Sequence, residues 1–250
     1  MAHRGFSLDG LENSMTAFRA AVALGFRYLE TDVHTTADGV VLLFHDAALD
    51  RVTDRTGRIA ELTADEVARA LIRGQETVPT FDQLVAAFPD TRFNLDVKDW
   101  NSVRSLAQAI EKHAVHDRVL IASFSDRRRR AVLRLLTRRT AASAGTAANA
   151  AFVAVSPLLS VPGLRLPARA FLGRALRDVD ALQVPVQYRG LPVVTPGFVR
   201  RAHSLGLYVH VWTINDPGEM HRLLDLGVDG IVSDRADLLK EVLASRGLWP

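Results

Sequence analysis

Short apolar segments alternate with segments of helical period along the chain, and this alternation restricts its fold more than any other feature. A helical segment ends three times in a glycine that is followed directly by an apolar segment, at Leu24-Gly25-Phe26, Leu205-Gly206-Leu207 and Leu226-Gly227-Val228. Glycine readily adopts the left-handed backbone conformation that ends many helices. A repeat of helix, glycine and buried strand is typical of a parallel α/β protein.

The number of strands distinguishes the possible α/β folds. The candidate strands are Ala2–His3, Tyr28–Val33, Val40–Phe44, Phe93–Lys98, Val119–Phe124, Thr140–Gly145, Ala181–Val184, Tyr208–Ile214 and Gly230–Ser233. Val40–Phe44 follows the preceding strand across Asp38-Gly39, a strong hairpin signal, so it is predicted to run antiparallel. Eight parallel strands remain, the number that closes a TIM (β/α)8 barrel. A doubly wound open sheet is the alternative, but no Gly-rich phosphate-binding sequence follows the first strand.

The chain is predicted to form a single domain over residues 1–250, because no linker of distinct composition divides it. Helical spacing of apolar residues covers several segments between the strands, including Thr63–Arg73 and Asp126–Arg139. Ala147–Arg177 is rich in alanine, leucine and arginine. We expect this segment to form a helical excursion over one edge of the barrel.

Composition excludes several classes of protein. Hydrophobic residues make up 48% of the 250 residues and charged residues 24%, values that exclude intrinsic disorder. The absence of cysteine excludes disulfides, thiolate metal sites and cysteine nucleophiles. No apolar run approaches the roughly 20 residues that span a bilayer, so no stable membrane insertion is expected. No charged leader with an apolar stretch follows Met1, which predicts a cytoplasmic location, although the natural N-terminus can lie upstream.

Arginine makes the chain basic, with a net charge of +3, a pI of about 9.7 and only three lysines. The run Arg127–Arg130, followed by Arg134, Arg138 and Arg139, resembles a nucleic-acid-binding patch. No aromatic residues that could stack on bases lie between these arginines, and helical spacing spreads them over several faces. We therefore expect a solvated helix surface and no nucleic-acid partner. The sequence does not indicate an oligomeric state.

Two carboxylates share a face of the second predicted strand. Glu30 and Asp32 are two residues apart, and alternate strand residues point to the same side. Burying two neighbouring carboxylates costs free energy unless a cation or protons neutralise them. If Asp38-Gly39 forms a two-residue loop, His45 lies opposite Asp32 on this face, whereas a shift of one residue turns it away.

Further polar residues lie at the C-terminal ends of other predicted strands, where α/β barrels carry their chemistry. Asn94, Asp96 and Lys98 share a face of the third strand, and His3-Arg4 ends the first. Carboxylates suit a hard divalent cation, arginine and lysine bind phosphate oxygens, and two histidines can act as base and acid near neutral pH. This set of residue types indicates metal-assisted displacement at an anionic substrate.

These residues belong to a longer series of motifs that resembles a known family. The motifs are His3-Arg4-Gly5, Glu12-Asn13-Ser14, Glu30-Thr31-Asp32-Val33, Thr36-Ala37-Asp38-Gly39, His45-Asp46, Asn94-Leu95-Asp96-Val97-Lys98, Trp212-Thr213-Ile214-Asn215, Gly227-Val228-Asp229-Gly230-Ile231 and Ser233-Asp234-Arg235. Their order and approximate spacing resemble the glycerophosphodiester phosphodiesterases over nearly the whole chain. The resemblance implies a TIM-type barrel with a small insertion after the second strand, roughly Thr35–Phe81. It also implies hydrolysis of glycerophosphodiesters to sn-glycerol 3-phosphate and an alcohol, with Mg²⁺ or Ca²⁺.

The resemblance also implies roles for eight residues of this small-molecule site. By position, the catalytic residues are His3 and His45, and the metal ligands are Glu30, Asp32 and Asp96. The phosphate contacts are Arg4 and Lys98, and the residue that packs against the glycerol is Trp212. Asp96 departs from the family, which usually has glutamate there. The first strand is also nearly absent, which questions whether the barrel closes.

Two other functions remain open at this point. The nearest alternative is a related lipid phosphodiesterase of the lysophospholipase D or sphingomyelinase D type, which would need an exposed apolar loop near the site. The other is a catalytically silent protein that binds nucleic acid through its arginines. The intact histidines and carboxylates argue against the second alternative.

Overall fold

A computed structural model of the protein describes residues 1–249 and contains eight parallel strands. They are β1 (Ala2–His3), β2 (Tyr28–Thr35), β3 (Arg92–Val97), β4 (Val119–Ala122), β5 (Ala141–Ala142), β6 (Ala181–Val184), β7 (Tyr208–Val211) and β8 (Gly230–Ile231). Each corresponds to one of the parallel strands expected from the sequence. The strands are short and mostly buried, because helices cover the outside of the parallel sheet.

Two bridges close the ring of strands. β1 to β5 form one hydrogen-bonded sheet, and β6 to β8 form another. Parallel bridges join the two sheets between Ser143 and Ala181 and between Ala2 and Ser233. The His3 N–H donates to the Ser233 carbonyl at 2.9 Å, which ties β1 to the end of β8. A first strand of two residues is therefore enough to complete the barrel, because it pairs on both sides.

The α-helices lie between the strands and in the insertion. They are α1 (Met15–Ala23), α2 (Ala64–Val67), α3 (Phe81–Ala87), α4 (Ser102–His113), α5 (Asp126–Leu133), α6 (Thr146–Val155), α7 (Arg165–Ala175), α8 (Pro196–Ser204), α9 (Pro217–Asp225) and α10 (Ala236–Ser245). The helix predicted over Thr63–Arg73 is confined to α2. Arg73 and Gly74 both have positive φ and form the turn of a hairpin between Leu71–Ile72 and Glu76–Thr77, so the helix cannot continue.

The hairpin after β2 has a register that differs by one residue from the one expected for a two-residue loop. Its second strand, Val41–Leu43, follows a three-residue loop that ends at Gly39, whose φ is +89°. The Phe44 N–H donates to the Asp32 carbonyl at 3.0 Å. Phe44, and not His45, therefore lies opposite Asp32, because the extra loop residue shifts every pair along the hairpin.

The insertion after β2 has a hydrophobic cluster of its own. Phe44, Leu49, Ile59 and Ile72 are buried in it, together with Leu11 from the segment between β1 and α1. Most of the other buried apolar residues form a separate cluster that includes the barrel strands and their helices. His45 is therefore carried by a unit whose packing is distinct from that of the barrel.

The segment between β5 and β6 forms the expected helical excursion, in which the 3₁₀ helix Ser156–Ser160 connects α6 to α7. The arginines of α5 do not all lie on a solvated surface: Arg129 is fully buried, donates to the Asp178 carbonyl at 2.8 Å and lies 3.5 Å from Asp126 Oδ1. α5 also ends at Leu133 rather than at the predicted Arg139. Within residues 1–249, no helix is long and apolar enough to cross a membrane.

Candidate active site

Three neighbouring strands place the predicted residues in two layers at the C-terminal end of the barrel. His3, Glu30 and Asn94 pair across β1, β2 and β3 at one level. Asp32 and Asp96 pair at the next level, nearer the strand ends. Side chains alternate along β2, so Glu30 and Asp32 point to the same side, and both are buried. The parallel register therefore gathers carboxylates from separate parts of the sequence.

Asp32 is the centre of a cluster of ion pairs. Its Oδ1 lies 2.7 Å from Lys98 Nζ, and its Oδ2 lies 3.0 Å from Arg4 Nε. Asn13 Nδ2 donates to the same Oδ2 at 3.0 Å. Burial opposes the ionised form of Asp32, but Lys98 and Arg4 outweigh burial and lower the pKa of Asp32. Lys98 Nζ also donates to Asp96 Oδ2 at 2.7 Å, so it bridges two of the predicted metal ligands.

Glu30 has no comparable positive partner. Its Oε2 accepts the Arg4 backbone N–H at 3.2 Å and lies 3.8 Å from His3 Nε2. Burial, followed by the nearby Asp32 carboxylate, raises the pKa of Glu30 above its ordinary value. Ionisation of Glu30 is therefore unfavourable in this position, and a bound cation would relieve that cost.

The turn formed by Arg4 and Gly5 shapes one side of the site. The φ angles of Arg4 and Gly5 are +53° and +84°. A Cβ atom on Gly5 would lie 2.6 Å from the carbonyl carbon of Ala17, so only glycine allows the turn to approach α1 this closely. The turn directs the Arg4 guanidinium at Asp32 and at Glu12, whose Oε1 accepts from Nη1 at 2.9 Å.

A carboxylate orients His3. His3 Nδ1 lies 2.6 Å from Asp234 Oδ1, in the segment after β8. Asn215 holds this carboxylate in turn, because its Nδ2 donates to Asp234 Oδ2 at 2.9 Å. Burial opposes the charged form of His3, but Asp234 and Glu30 outweigh burial and raise the pKa of His3. The second ring nitrogen, Nε2, faces Glu30 and the rest of the site.

His45 comes to the site from the insertion, in the segment just after the hairpin. Its Nδ1 lies 2.6 Å from Asp46 Oδ1. His34 Nε2 lies 3.2 Å from the His45 carbonyl oxygen, a contact that links this segment to β2. His45 has no hydrogen bond or ion pair with Asp32 within residues 1–249, and its connection to the carboxylate cluster runs through Asp46.

Arg51 connects the insertion to the barrel. Its guanidinium binds Asp46 and both carboxylate oxygens of Glu12, at 2.6 and 3.1 Å. Glu12 also binds Arg4, and Arg4 contacts Asp32. A continuous chain of contacts therefore runs from Asp46, which holds His45, through Arg51, Glu12 and Arg4 to Asp32. Burial opposes ionisation of Glu12, but Arg51 and Arg4 outweigh it and lower the pKa of Glu12.

An aromatic pair forms another wall of the site. Trp212 follows β7 and makes an edge-to-face contact with Phe124, with ring centroids 5.8 Å apart. Lys98 Nζ lies 5.7 Å from the centroid of Phe124, which is exposed. The pair therefore presents an apolar surface directly beside a cation of the site.

Comparison with known proteins connects this site to one family. The model of the glycerophosphoryl diester phosphodiesterase family matches residues 3–238. The chain belongs to this family. It is 46% identical over 250 residues to a protein of Mycobacterium tuberculosis named probable glycerophosphodiester phosphodiesterase 2, and the match covers 100% of this chain and 92% of that relative.

Solved structures of the family share the fold. A glycerophosphodiester phosphodiesterase from Agrobacterium tumefaciens has a TM-score of 0.77 at 23% identity, with 97% of each chain covered. A phosphodiesterase from Oleispira antarctica, solved in complex with the product sn-glycerol-3-phosphate, has a TM-score of 0.75 at 22% identity, with 97% of this chain and 95% of that one covered. The predicted TIM (β/α)8 barrel with an insertion after the second strand is confirmed.

Membership in the glycerophosphoryl diester phosphodiesterase family also confirms the prediction of a phosphoric diester hydrolase. The roles of individual residues remain predictions, but the structure shows their positions. It brings six of the predicted residues into one cluster of contacts: His3, Arg4, Glu30, Asp32, Asp96 and Lys98. His45 joins this cluster through Asp46, Arg51 and Glu12, and Trp212 joins it through Phe124.

Sequence reasoning assigned no role to the residues that hold the two histidines. These residues are His34, Asp46, Arg51, Asn215 and Asp234. Asp46, Asn215 and Asp234 lie inside family motifs, and that is the signal by which they could have been found. Arg51 and His34 carry no such signal, because their partners become neighbours only in the folded chain.

The chemistry of the donor set fits a hard divalent cation. All three predicted ligands offer carboxylate oxygens, and two buried oxygens, Asp96 Oδ1 and Asn94 Oδ1, have no hydrogen-bond partner within residues 1–249. No three His, Cys, Asp or Glu side chains of the described residues are arranged to hold a metal ion, and Lys98 bridges Asp32 and Asp96. Asp96 Oδ1 can therefore bind a cation in this arrangement, whereas both oxygens of Asp32 already contact Lys98, Arg4 or Asn13, so coordination by Asp32 competes with these contacts.

Proposed function

We propose that this chain hydrolyses glycerophosphodiesters to sn-glycerol 3-phosphate and an alcohol, with a divalent metal ion and two catalytic histidines. One observation carries the proposal: a carboxylate holds Nδ1 of each predicted catalytic histidine, Asp234 for His3 and Asp46 for His45. A carboxylate at Nδ1 favours the tautomer and ring orientation that leave Nε2 for the substrate. Two such histidines suit a reaction that takes one proton and gives one.

Glu30, Asp32 and Asp96 are the residues that would hold the metal ion, Mg²⁺ or Ca²⁺. When bound, the ion supplies a Lewis acid that offsets negative charge on a phosphoryl oxygen. Burial and Asp32 raise the pKa of Glu30, so its ionised form is unfavourable in this position. A bound cation would stabilise that ionised form, and this supports the assignment of Glu30 as a ligand. Lys98, once released from Asp32 and Asp96, can bind a substrate phosphate together with Arg4.

The two histidines divide the proton transfers. One accepts a proton from the attacking hydroxyl group, which belongs either to water or to the glycerol of the substrate, and the other protonates the departing alkoxide. Attack by water gives sn-glycerol 3-phosphate directly, whereas attack by the glycerol hydroxyl gives a cyclic phosphate that a water molecule then opens, with the two histidines exchanging roles. One imidazole must therefore begin neutral and the other protonated. Trp212, supported by Phe124, would pack against the glycerol carbons and orient the phosphate toward Lys98.

Replacing either histidine tests this assignment. His3→Ala and His45→Ala should each lower kcat on glycerophosphocholine by about 10²–10⁴-fold, the usual contribution of general acid–base catalysis. His113→Ala is a matched control, because His113 Nε2 also lies 2.8 Å from a carboxylate, that of Asp82, but outside the site. A folded variant that keeps near-full activity would show that the replaced histidine is not catalytic.

The metal ion needs its own measurement. Chelation should abolish turnover, and Mg²⁺ or Ca²⁺ should restore it. Calorimetric titration of the chelator-treated protein with each ion should show binding that Asp96→Asn weakens, a readout that does not depend on turnover. Turnover that continues in the presence of chelator would reject the metal assignment while leaving the histidine assignment intact.

Product analysis separates the proposed activity from the lipid phosphodiesterase alternative. Glycerophosphocholine, glycerophosphoethanolamine and glycerophosphoglycerol should all release sn-glycerol 3-phosphate. Release of choline from lysophosphatidylcholine or sphingomyelin, without turnover of the glycerophosphodiesters, would favour the lysophospholipase D or sphingomyelinase D type.

A further inference from the structure

Positive charge is concentrated in one part of the chain that the active site does not use. Residues 127–177 contain eleven arginines and no lysine, aspartate or glutamate. The rest of the chain contains 20 Lys and Arg residues against 28 Asp and Glu residues, so it is acidic. The segment comprises nearly all of α5, together with α6 and α7, and therefore covers one sector of the barrel surface.

The exposed arginines of this sector line a cleft between α5 and the end of α7. The cleft has a volume of about 590 Å³, and the arginines that line it are Arg130, Arg134, Arg138, Arg139, Arg174 and Arg177. Asp178 and Asp180 also line the cleft, and Asp180 pairs with Arg139. Arg134, Arg138, Arg174 and Arg177 have no carboxylate partner within residues 1–249. Four like charges without partners in one cleft repel one another, and an anionic ligand would relieve that repulsion.

Large apolar side chains are exposed beside these arginines. Leu166 and Phe171 of α7 are 78% and 52% exposed, and Leu164 just before the helix is 44% exposed. Phe171 lies one helical turn before Arg174, so the apolar surface adjoins the cleft. Along α5, Arg127, Arg130 and Arg134 line a second cavity together with Trp100, which is 58% exposed.

Helix α7 is held to the barrel by a narrow stripe. Only Ala168 and Leu172 are buried along its length, with Leu176 immediately after it. Most of its circumference therefore faces solvent, with leucine, phenylalanine and arginine side chains exposed together. Such a surface offers both attractions that hold a segment at a membrane interface, namely apolar area that can leave water and positive charge that attracts anionic lipids.

We propose that the surface formed by α5, α7 and the segment between α6 and α7, here called the arginine face, docks the enzyme peripherally on an anionic phospholipid bilayer. Guanidinium groups would bind lipid phosphates in pairs of hydrogen bonds, while Leu164, Leu166 and Phe171 enter the boundary between headgroups and acyl chains. The acidic remainder of the chain is repelled by the same membrane, which fixes the orientation of docking.

The composition of the arginine face favours a lipid surface over nucleic acid. Single-stranded nucleic acid is bound by aromatic rings interleaved with basic residues, on which bases stack. The exposed large apolar residues of α7 and of the segment before it are four aliphatic side chains, Leu158, Val161, Leu164 and Leu166, and one aromatic ring, Phe171. Trp100 beside α5 is a second exposed ring, but two rings do not make an interleaved series. Aliphatic side chains have no stacking surface for bases, but they gain free energy when they leave water for the acyl region.

Vesicle binding of the full chain tests the proposal without any dependence on catalysis. The protein is sedimented with vesicles of phosphatidylcholine, with and without phosphatidylglycerol, at low and at high salt. We expect at least about tenfold more binding to the phosphatidylglycerol vesicles at low salt, since each basic residue near an anionic surface favours binding several-fold. High salt should remove most of that difference because it screens surface charge.

Two sets of variants locate the binding surface. R134E/R138E/R174E should lower binding at least about tenfold by charge reversal, and L166S/F171S should lower it about fivefold by removing apolar contact. The controls are R19E/R27E/R69E, which changes three exposed arginines outside the arginine face, and L191S, which changes a leucine that is 72% exposed elsewhere. Circular dichroism and Tm must show that each variant is folded.

The outcomes distinguish docking from its rivals. Equal binding of the unchanged protein to both vesicle types would overturn the proposal. So would a loss of vesicle binding in R19E/R27E/R69E as large as that in R134E/R138E/R174E. Tight binding of an RNA or DNA oligonucleotide that R134E/R138E/R174E abolishes and L166S/F171S leaves unchanged would assign the face to nucleic acid instead. Loss of vesicle binding in both test variants, with both controls unchanged, would support it.

Discussion

At the scale of single residues, the contacts of each histidine decide what it can do. The chain has eight histidines, and several of them lie close to carboxylates outside the site, for example His113 to Asp82 and His203 to Asp229. What distinguishes His3 is that the orienting carboxylate is on Nδ1, while Nε2 faces the buried carboxylates. We therefore predict that Asp234 is a positioning residue for His3.

Replacing Asp234 with asparagine tests this positioning role. Asp234→Asn should lower kcat about 10–100-fold with little change in KM, because the ring loses its preferred tautomer while the phosphate contacts remain. Asp229→Asn is the control, since Asp229 binds His203 on the outside of the barrel. Equal losses in both variants, or a rise in KM with kcat unchanged, would contradict the role.

At the scale of elements, short segments determine the shape of the site. β1 has two residues, yet it carries His3 and pairs with both of its neighbours. The insertion returns to the barrel at Thr80, which bridges to Leu42 of the hairpin and caps α3. Thr80 and Gln83 form a capping box, with bonds of 2.8 and 3.2 Å.

Loss of this cap should weaken the junction between the insertion and the barrel. Thr80→Ala should reduce the free energy of unfolding by about 1 kcal/mol, since it leaves an N-terminal amide of α3 without its partner. Thr80→Ser keeps the hydroxyl group and should restore most of that loss. Urea unfolding measures both variants, and equal stability of Thr80→Ala and the unchanged protein would contradict the prediction.

At the scale of the whole molecule, the barrel also encloses a titratable ring away from the phosphodiesterase site. His210 lies on β7, level with Gln183 and Gly230 of its neighbouring strands, and its Nδ1 is 3.3 Å from Gln183 Nε2. Burial lowers the pKa of His210 from 6.5 to about 4. The unfolded chain binds a proton to this ring at a higher pH than the folded chain does, so acid favours unfolding.

The stability of the protein should therefore depend on pH through His210. The contribution of the neutral ring is complete above pH 6.5 and is lost as the pH falls toward 4. His210→Asn should reduce this decrease in the free energy of unfolding by about 2 kcal/mol, less than full burial would give because the ring is partly accessible. His221→Asn is the control, and identical pH dependence in the two variants would contradict the assignment.

Much of the barrel could be predicted because its signals are local. Apolar strands and the glycines that end helices depend on neighbouring residues, so the eight parallel strands could be found from the sequence. The prediction for the hairpin register was wrong because the loop has three residues, 37–39, and not the two that Asp38-Gly39 suggests. The helix predicted over Thr63–Arg73 was too long for a similar reason. The end of that segment forms a hairpin, with positive φ angles at Arg73 and Gly74, and the helical spacing of its apolar residues does not reveal this.

The sequence by itself determined the alternation of strands and helices, the family motifs and the residue types that gather at the strand ends. Only the tertiary structure decided which atoms meet. The closure of β1 against Ser233, the hold of Asp234 on His3 and the position of Lys98 between two carboxylates all join residues far apart in the chain or on different strands. Periodicity describes near neighbours, whereas such contacts depend on the register and packing of the whole barrel.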